Sequence, residues 1–291
     1  MRGALAIIGA GRVGRALGRR LHELGWKIGA VVTQNESSAR KAVRFIGAGR
    51  PHAVLSRDVL ASRVILICTP DDVVMKVAGE LARVGSEELQ GKAVLHSSGA
   101  LTSGVLRSVH NCGAAVGSMH PLQSFSGVGT PSLEGKVFAI EGDPGAVRLA
   151  RQIARALGAL PVQIAGGNKA LYHAAAAFAA GHVLAIEEAS ARLLMLTGMK
   201  RGEATRALLQ LTRQVLENFE RLGPRAAWTG PLARGDSGVI KSHIAAMSQL
   251  PAEFVKVYTA LNDLALLVLS PDSPSILARP DESSRHKLSQ I

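Results

Sequence analysis

Several residue types are scarce in this chain of 291 residues, and each scarcity excludes a class of protein. The two cysteines, Cys68 and Cys112, are too few for a disulfide framework or a four-cysteine zinc site. The aromatic residues are six Phe, two Tyr and two Trp, which is few for a surface that stacks on nucleic-acid bases. The longest nearly uncharged run, residues 170–186, is short for a membrane span and contains two histidines. We therefore expect a cytoplasmic protein without a nucleic-acid or membrane partner.

Apolar residues and positive charge are abundant. Hydrophobic residues make up 47% of the chain, which excludes a disordered protein. The formal net charge is +12, and residues 1–57 alone hold eleven Lys and Arg against two Asp and Glu, a net charge of +9. We expect most of Arg15, Arg19, Arg20 and Lys41 to solvate the outer faces of helices. The remaining excess favours an anionic ligand near the N-terminus.

The hydrophobic pattern divides the chain into two parts. Apolar strand patterns at 4–8, 27–32, 64–68, 93–97, 114–119, 137–141 and 161–164 alternate with helical patterns at 13–24, 38–46, 71–83 and 145–157. Such alternation predicts an α/β fold with a doubly wound, Rossmann-type parallel sheet. Beyond residue 166 the patterns are helical only, at 168–198, 202–222, 239–248 and 252–269. We therefore predict a dinucleotide-binding Rossmann domain, residues 1–165, followed by an all-α substrate and dimerisation domain, residues 166–291.

A glycine motif follows the first predicted strand and opens the first predicted helix. It has the pattern G-x-G-x-x-G and comprises Gly9, Ala10, Gly11, Arg12, Val13 and Gly14. In dinucleotide-binding domains the first glycine permits a tight turn and the second lets the backbone approach a pyrophosphate. The third lets the helix pack closely on the sheet. The motif predicts a nicotinamide dinucleotide site.

The end of the second strand bears on which dinucleotide is bound. NAD sites usually place an acid there to hold the ribose 2′-hydroxyl, and here the strand is followed by Thr33, Gln34 and Asn35. The polar groups of these residues and of Ser38, with the guanidinium groups of Arg40 and Arg12, could instead accept a 2′-phosphate. NADP(H) is therefore favoured over NAD(H). Glu36 keeps NAD(H) open, since a slightly later strand end would bring this acid nearer the ribose.

Three polar segments follow successive strands, at the edge where ligands of such sheets bind. They are Cys68-Thr69-Pro70-Asp71-Asp72, His96-Ser97-Ser98-Gly99-Ala100 and Ser118-Met119-His120-Pro121-Leu122-Gln123-Ser124-Phe125. With the later blocks around Lys169-Ala170-Leu171-Tyr172-His173 and Gly230-Pro231-Leu232-Ala233-Arg234-Gly235-Asp236, they resemble a family of Rossmann-like predicted oxidoreductases. The C-terminal helical domain of that family is of uncharacterised function.

The resemblance implies kinship with 6-phosphogluconate dehydrogenase, pyrroline-5-carboxylate reductase and prephenate dehydrogenase. These are NAD(P)-dependent enzymes whose second domain, like that of 6-phosphogluconate dehydrogenase, is helical and usually forms dimers. It therefore implies a homodimer formed through the helical domain. Prephenate dehydrogenases carry a catalytic His before Pro, and His120-Pro121 is similar. Related dehydrogenases also place a lysine near the nicotinamide, and Lys169 matches that position.

The candidate acid–base residues are His120, then His96, because a histidine titrates close to working pH. Lys169 is the third candidate catalytic residue. Thr69, Pro70, Ser97 and Ser98 are candidate contacts for the cofactor, and the candidate substrate contacts are Tyr172, His173, Arg234 and His243. The nine histidines show no metal-ligand spacing, so we predict no metal site.

These observations predict an NAD(P)-dependent oxidoreductase that transfers a hydride between nicotinamide and a small, anionic substrate. The alternative is an NADP(H)-binding sensor or scaffold protein without turnover. Such a protein would bind the cofactor tightly and show no activity with 2-hydroxy acids, imines or aldehydes.

Overall fold

The structure is a computed structural model that describes residues 4–270, and its first part is built on one eight-stranded sheet. The spatial order of the strands is β3-β2-β1-β4-β5-β6-β7-β8. The strands are β1 Ala4–Ile8, β2 Lys27–Val32, β3 Arg50–His52, β4 Val64–Ile67, β5 Ala93–His96, β6 Ala115–Pro121, β7 Val137–Gly142 and β8 Leu160–Gln163. The short β3 is the one strand that the sequence pattern does not predict.

Helices cover both faces of the sheet because the central strands are apolar on both sides. One face packs against α1 Arg12–Glu23, α2 Glu36–Ile46 and α5 Pro144–Ala156. The other face packs against α3 Asp71–Val84 and α4 Arg107–His110. Every residue of β4 and β5 is buried, His96 included. The predicted doubly wound α/β fold is confirmed.

The sheet departs from the predicted parallel pairing at β7. β6 and β7 are antiparallel, with Ser118 opposite Glu141 and His120 opposite Ala139. The reason is the connection between them, residues 122–136, which contains no helix and returns the chain along the neighbouring strand. β7 and β8 are parallel again, joined through α5.

Three arginines of α1 make contacts that the charge pattern alone did not suggest. The guanidinium groups of Arg15 and Arg19 lie 4.9 and 5.7 Å from the ring centroid of Phe45 in α2. Arg15 and Arg20 also donate to backbone carbonyls of the loop after β6, at 2.7 and 3.2 Å. The expectation that arginines here mainly solvate the helix is therefore wrong for these three, which fasten α1 to its neighbours.

Beyond β8 the described chain is helical, as predicted. The helices are α6 Lys169–Ala177, α7 Val183–Leu196, α8 Arg201–Ala227, α9 Ser237–Ala246 and α10 Ala252–Leu269. The single helix predicted at 168–198 is interrupted by a π-helical turn, Phe178–His182. α8 bends at Gly223, which has φ 78° and precedes a proline.

Two compact units result, Met1–His182 and Val183–Ile291. The change from mixed to helical structure lies close to the predicted position at residue 166, but α6 groups with the sheet and extends the first unit. One described stretch, Gly166–Leu196, is long and apolar enough to cross a membrane by length and composition. Lys169 lies near the start of this stretch, and its ammonium donates hydrogen bonds to Ser98, after β5, and to Ser118, within β6.

Candidate functional site

The glycine loop after β1 is shaped by close backbone contacts. Gly9 has φ +86°, and a Cβ there would lie 2.6 Å from the Thr69 backbone nitrogen. A Cβ on Gly14 would lie 2.4 Å from the Gly9 carbonyl oxygen. A Cβ on Gly11 would meet no atom of the described chain within 4 Å. Packing therefore requires the first and third glycines, whereas the second leaves open space at the N-terminus of α1.

A cleft of about 520 Å³ lies against this loop. It is formed within the first unit, at the carboxyl ends of β1, β2 and β4. Seven of the predicted cofactor contacts line it: Gly9, Gly11, Thr33, Gln34, Ser38, Thr69 and Pro70. Its lining also includes residues that the sequence analysis did not single out, namely Ala53, Val54, Leu55, Val73, Val77 and Glu80. The apolar members of this second set form a wall suited to a flat ring.

The end of β2 holds no acid against the cleft. The strand ends at Val32, as predicted, and Thr33 and Gln34 follow it into the lining. Asn35 caps α2, because its Oδ1 accepts from the Ser38 backbone nitrogen at 2.9 Å. Glu36 accepts a hydrogen bond from Arg40 at 3.0 Å on the exposed face of that helix. The part of the cleft at the end of β2 therefore presents hydroxyl and amide groups.

The remaining predicted cofactor contacts lie outside the cleft lining. Arg12 is exposed beside the loop after β6, and Val13 and Gly14 form the first turn of α1. Ser97 follows β5, next to the Cys68 thiol, whose pKa burial raises to about 12. The Ser98 hydroxyl donates to Asp71 Oδ2 at 2.9 Å.

A second group of polar side chains centres on Lys169. This lysine is 1% exposed, and its Nζ donates to the Ser98 carbonyl at 2.6 Å and to Ser118 Oγ at 2.8 Å. Burial lowers the pKa of the ammonium to about 8, while the charges of Glu141 and Asp71 oppose that shift. The lysine is thus a buried cation that joins the segment after β5 to the middle of β6.

His96 lies beside this cation, and its side chain is fully buried. Its Nδ1 accepts from the Ser98 backbone nitrogen at 3.2 Å, so we assign the ring proton to Nε2, which lies 3.2 Å from the Thr102 carbonyl. Burial, followed by the charge of Lys169, lowers its pKa to about 4. Both ring nitrogens are occupied by backbone groups, which leaves none for a substrate proton.

His120 has a different environment, because one face of it borders a cavity. Its Nδ1 lies 2.9 Å from Tyr172 Oη, and its ring packs edge-on against His173 with centroids 5.9 Å apart. Burial, then the charge of Lys169, then His173 lowers the pKa of His120 to about 4. Burial raises the pKa of Tyr172 to about 12. Both side chains are therefore neutral at neutral pH.

The cavity beside this cluster has a volume of about 590 Å³. His120, Tyr172 and His173 form its polar side. The rest is formed by Leu122, Gln123 and Ser124, by Ala175, Ala176 and Ala177 of α6, and by Ala179 and Ala180 of the π-helical turn. Three predicted residues are thus brought together from β6 and α6.

The other two predicted substrate contacts lie in the second unit and have partners there. Arg234 pairs with Asp236 at 2.8 Å. His243 Nδ1 lies 2.7 Å from Tyr258 Oη. Within residues 4–270, no group of three His, Cys, Asp or Glu side chains is placed to hold a metal ion.

Sequence reasoning assigned no role to three residues of the Lys169 cluster: Asp71, Ser118 and Glu141. A signal was present for Glu141, because it is a charged residue in the otherwise apolar strand β7. Asp71 belongs to a segment that was singled out, but as a helix-opening acid it has an ordinary structural explanation. Ser118 also belongs to a segment that was singled out, but a small polar residue in a strand is common and by itself points to no role.

Comparison with solved structures shows that several other proteins share this fold. A protein of Bacteroides fragilis, provisionally named an NADP oxidoreductase, superimposes with TM-score 0.74 at 21% identity, over 90% of this chain and 97% of its own. A reductive aminase from Aspergillus terreus, in complex with NADPH and a keto ester, superimposes with TM-score 0.65 at 16% sequence identity. The match covers 91% of this chain and 94% of the aminase. Pyrroline carboxylate reductase from Plasmodium falciparum, with NADP bound, superimposes with TM-score 0.60 at 12% sequence identity. The match covers 90% of this chain and 97% of the reductase. At these identities the likeness shows a shared fold.

Family models match both parts of the chain. No curated protein matches it. The family model described as a Rossmann-like domain matches residues 1–121, and the model described as a domain of unknown function, DUF2520, matches residues 136–264. The chain therefore belongs to the proteins that join an N-terminal Rossmann-like domain to a C-terminal DUF2520 domain.

Proposed function

We propose that this protein is an NADP(H)-dependent oxidoreductase that acts on a small substrate. The observation that carries the proposal is the cleft at the glycine loop, where Gly9 and Gly14 allow close packing and Gly11 leaves room for a pyrophosphate. The similar structures support it, since two of them hold NADPH or NADP. When bound, the cofactor supplies or accepts the hydride.

NADP(H) is preferred in this proposal because of the groups at the end of β2. A carboxylate beside the ribose would repel a 2′-phosphate, and Glu36 is instead paired with Arg40 outside the lining. Thr33, Gln34 and Ser38 offer neutral donors in its place.

The proton of the reaction is assigned to the pair of His120 and Tyr172. With His120 Nδ1–H donating to Tyr172 Oη, the unprotonated Nε2 is the atom that accepts a proton from a substrate hydroxyl and returns it in the reverse direction. The imidazole is ready to accept, because its pKa of about 4 keeps it neutral. Lys169 positions this end of the sheet through Ser98 and donates no proton in this scheme. His96, with both nitrogens occupied, has a structural role.

The anionic character predicted for the substrate stays a prediction. No Lys or Arg is among the residues that line the cavity beside His120, so its lining gives that prediction no direct support. A carbonyl, hydroxyl or imine carbon with an apolar substituent fits the same lining. The alternative of a sensor or scaffold has no observation of its own in its favour.

Titration of the protein with NADPH and with NADH, followed by fluorescence, tests the proposal. We expect NADPH to bind at least about tenfold more tightly, since the 2′-phosphate gains charge-assisted hydrogen bonds. Gln34→Glu is the matched variant: it keeps the size of the side chain, adds a negative charge, and should weaken NADPH binding more than NADH binding. Failure of both dinucleotides to bind at millimolar concentration would remove the basis for an NADP(H) enzyme.

We also propose that a second copy of the chain covers the helical unit. Large apolar side chains of α7, α8 and α10 are exposed in the single chain, among them Leu184, Leu211, Leu216, Phe219, Val257 and Leu267. Apolar surface of this extent marks an interface in soluble proteins. Light scattering after gel filtration should give twice the 30.4 kDa of one chain. A monomeric mass at micromolar concentration would contradict the proposal.

A further inference from the structure

Glu141 is a buried carboxylate to which the proposed reaction gives no part. It is 6% exposed in β7 and lies opposite Ser118 in the antiparallel pair. Its Oε1 accepts from the Ser103 backbone nitrogen at 2.5 Å, and its Oε2 accepts from Ser103 Oγ at 3.0 Å. Burial of a carboxylate is unfavourable unless it is hydrogen-bonded or paired. A neutral amide could make the same two contacts without that penalty, so the charge itself calls for an explanation.

A line of hydrogen bonds leads from the partner of this carboxylate to Lys169. Ser103 opens the turn that follows Thr102, and the Thr102 carbonyl lies 3.2 Å from His96 Nε2. His96 Nδ1 accepts from the Ser98 backbone nitrogen, and the Ser98 carbonyl accepts from Lys169 Nζ at 2.6 Å. The turn after β5, the tautomer of His96 and the ammonium are therefore linked.

The charged and titratable groups around Lys169 come from four elements. Asp71 at the start of α3 and Glu141 in β7 are the carboxylates that raise its pKa against burial, Glu141 with the larger effect. His96 in β5 and His120 in β6 are held neutral, each by burial first and by the charge of Lys169 second. Among the described residues, no carboxylate lies within 4 Å of Nζ as an ion pair. Glu141 and Asp71 therefore raise the pKa of Lys169 by electrostatic attraction at longer distance, without a direct ion pair.

We propose, building on the proposed function, that Glu141 is a positioning residue that fastens the turn after β5 through Ser103 and keeps Lys169 an ammonium. An ammonium has three N–H donors, and the Ser98 carbonyl and the Ser118 hydroxyl occupy two of them. The charge also maintains the neutral state of His120, the base of the proposed reaction. Glu141 thereby acts on the reaction through Lys169.

The test is the titration of Lys169, followed by NMR of protein labelled at its lysines, with Lys169→Met to assign the resonance. The wild-type midpoint should lie near 8. Glu141→Gln keeps both contacts to Ser103, since its amide oxygen can accept and its NH₂ can donate to the hydroxyl. We expect this variant to lower the midpoint by about one unit, the effect of losing one nearby opposite charge. Ser103→Ala removes one contact and keeps the charge, so its midpoint should match that of the wild type.

Glu134→Gln, at an exposed acid in the loop before β7, is the control and should leave the midpoint unchanged. An unchanged midpoint in Glu141→Gln would overturn the proposal, as would an equal fall in Ser103→Ala. Should Glu141→Gln not fold, Glu141→Asp is the second variant, because its side chain is one methylene shorter and moves the carboxylate away. A smaller decrease in the Lys169 midpoint then supports the proposal, and an unchanged midpoint overturns it. The measurement needs no turnover, so failure to bind NADPH would count against the proposed function alone.

Discussion

Replacement of Gly14 by alanine is expected to lower the free energy of unfolding by about 3 kcal/mol, the upper part of the range for overpacking a closely packed site. The added Cβ would lie 2.4 Å from the Gly9 carbonyl oxygen and 3.1 Å from the Cys68 Cβ. Because the nearer atom belongs to the backbone, α1 must move away from the glycine loop. That movement should also weaken NADPH binding by more than about tenfold, since the amides of the first turn shift with the helix.

Gly11→Ala is the matched variant for this prediction. Its Cβ would meet no atom of residues 4–270 within 4 Å, so stability should stay within about 0.5 kcal/mol of the wild type. The same methyl group would occupy the space through which a pyrophosphate approaches the backbone, so NADPH affinity should still fall. Urea denaturation and fluorescence titration measure the two effects separately. Unchanged affinity in Gly11→Ala would show that the cofactor does not lie against this loop.

The stability of the protein is expected to fall steeply between pH 6.5 and pH 4 because of His96 and His120. In the folded protein the pKa of each is lowered from 6.5 to about 4, chiefly by burial. The unfolded chain therefore binds more protons than the folded chain in this interval, and the free energy of unfolding decreases as the pH falls. A shift of this size corresponds to roughly 3 kcal/mol for one histidine. Above pH 6.5 neither histidine makes the free energy of unfolding depend on pH.

Denaturation with urea at several pH values measures this dependence. His96→Gln should lose about half of the slope, because it removes one of the two buried imidazoles and retains a side chain that can hydrogen-bond. His182→Gln changes an exposed histidine of the π-helical turn and is the control, with an expected slope equal to that of the wild type. A slope that stays the same in both His96→Gln and His120→Gln would contradict the neutral state assigned to these histidines.

The sequence predicted the first unit well because its signals are local. A strand buried on both faces must be apolar along its whole length, and Gly9, Gly11 and Gly14 are spaced by the geometry of one turn. The strand end at Val32 could be predicted for the same reason, and with it the neutral side chains of Thr33 and Gln34 that follow it into the cleft lining. The antiparallel β7 could not be read, because strand direction depends on the connection through space.

The residues of the candidate site show the same difference between what local sequence patterns predict and what packing decides. The sequence by itself determined which polar residues lie near the carboxyl ends of the strands, since parallel strands end at one edge. Only the tertiary structure decided the surroundings of each one. His96 and His120 are both histidines at strand ends with the same lowered pKa, but backbone partners occupy both nitrogens of the first, whereas the second borders a cavity. Glu141 and Lys169 are 28 residues apart in the sequence, and the pairing of β7 with β6 brings the carboxylate to the lysine's partner Ser118. Burial, orientation and distant pairing arise from packing, which no local pattern encodes.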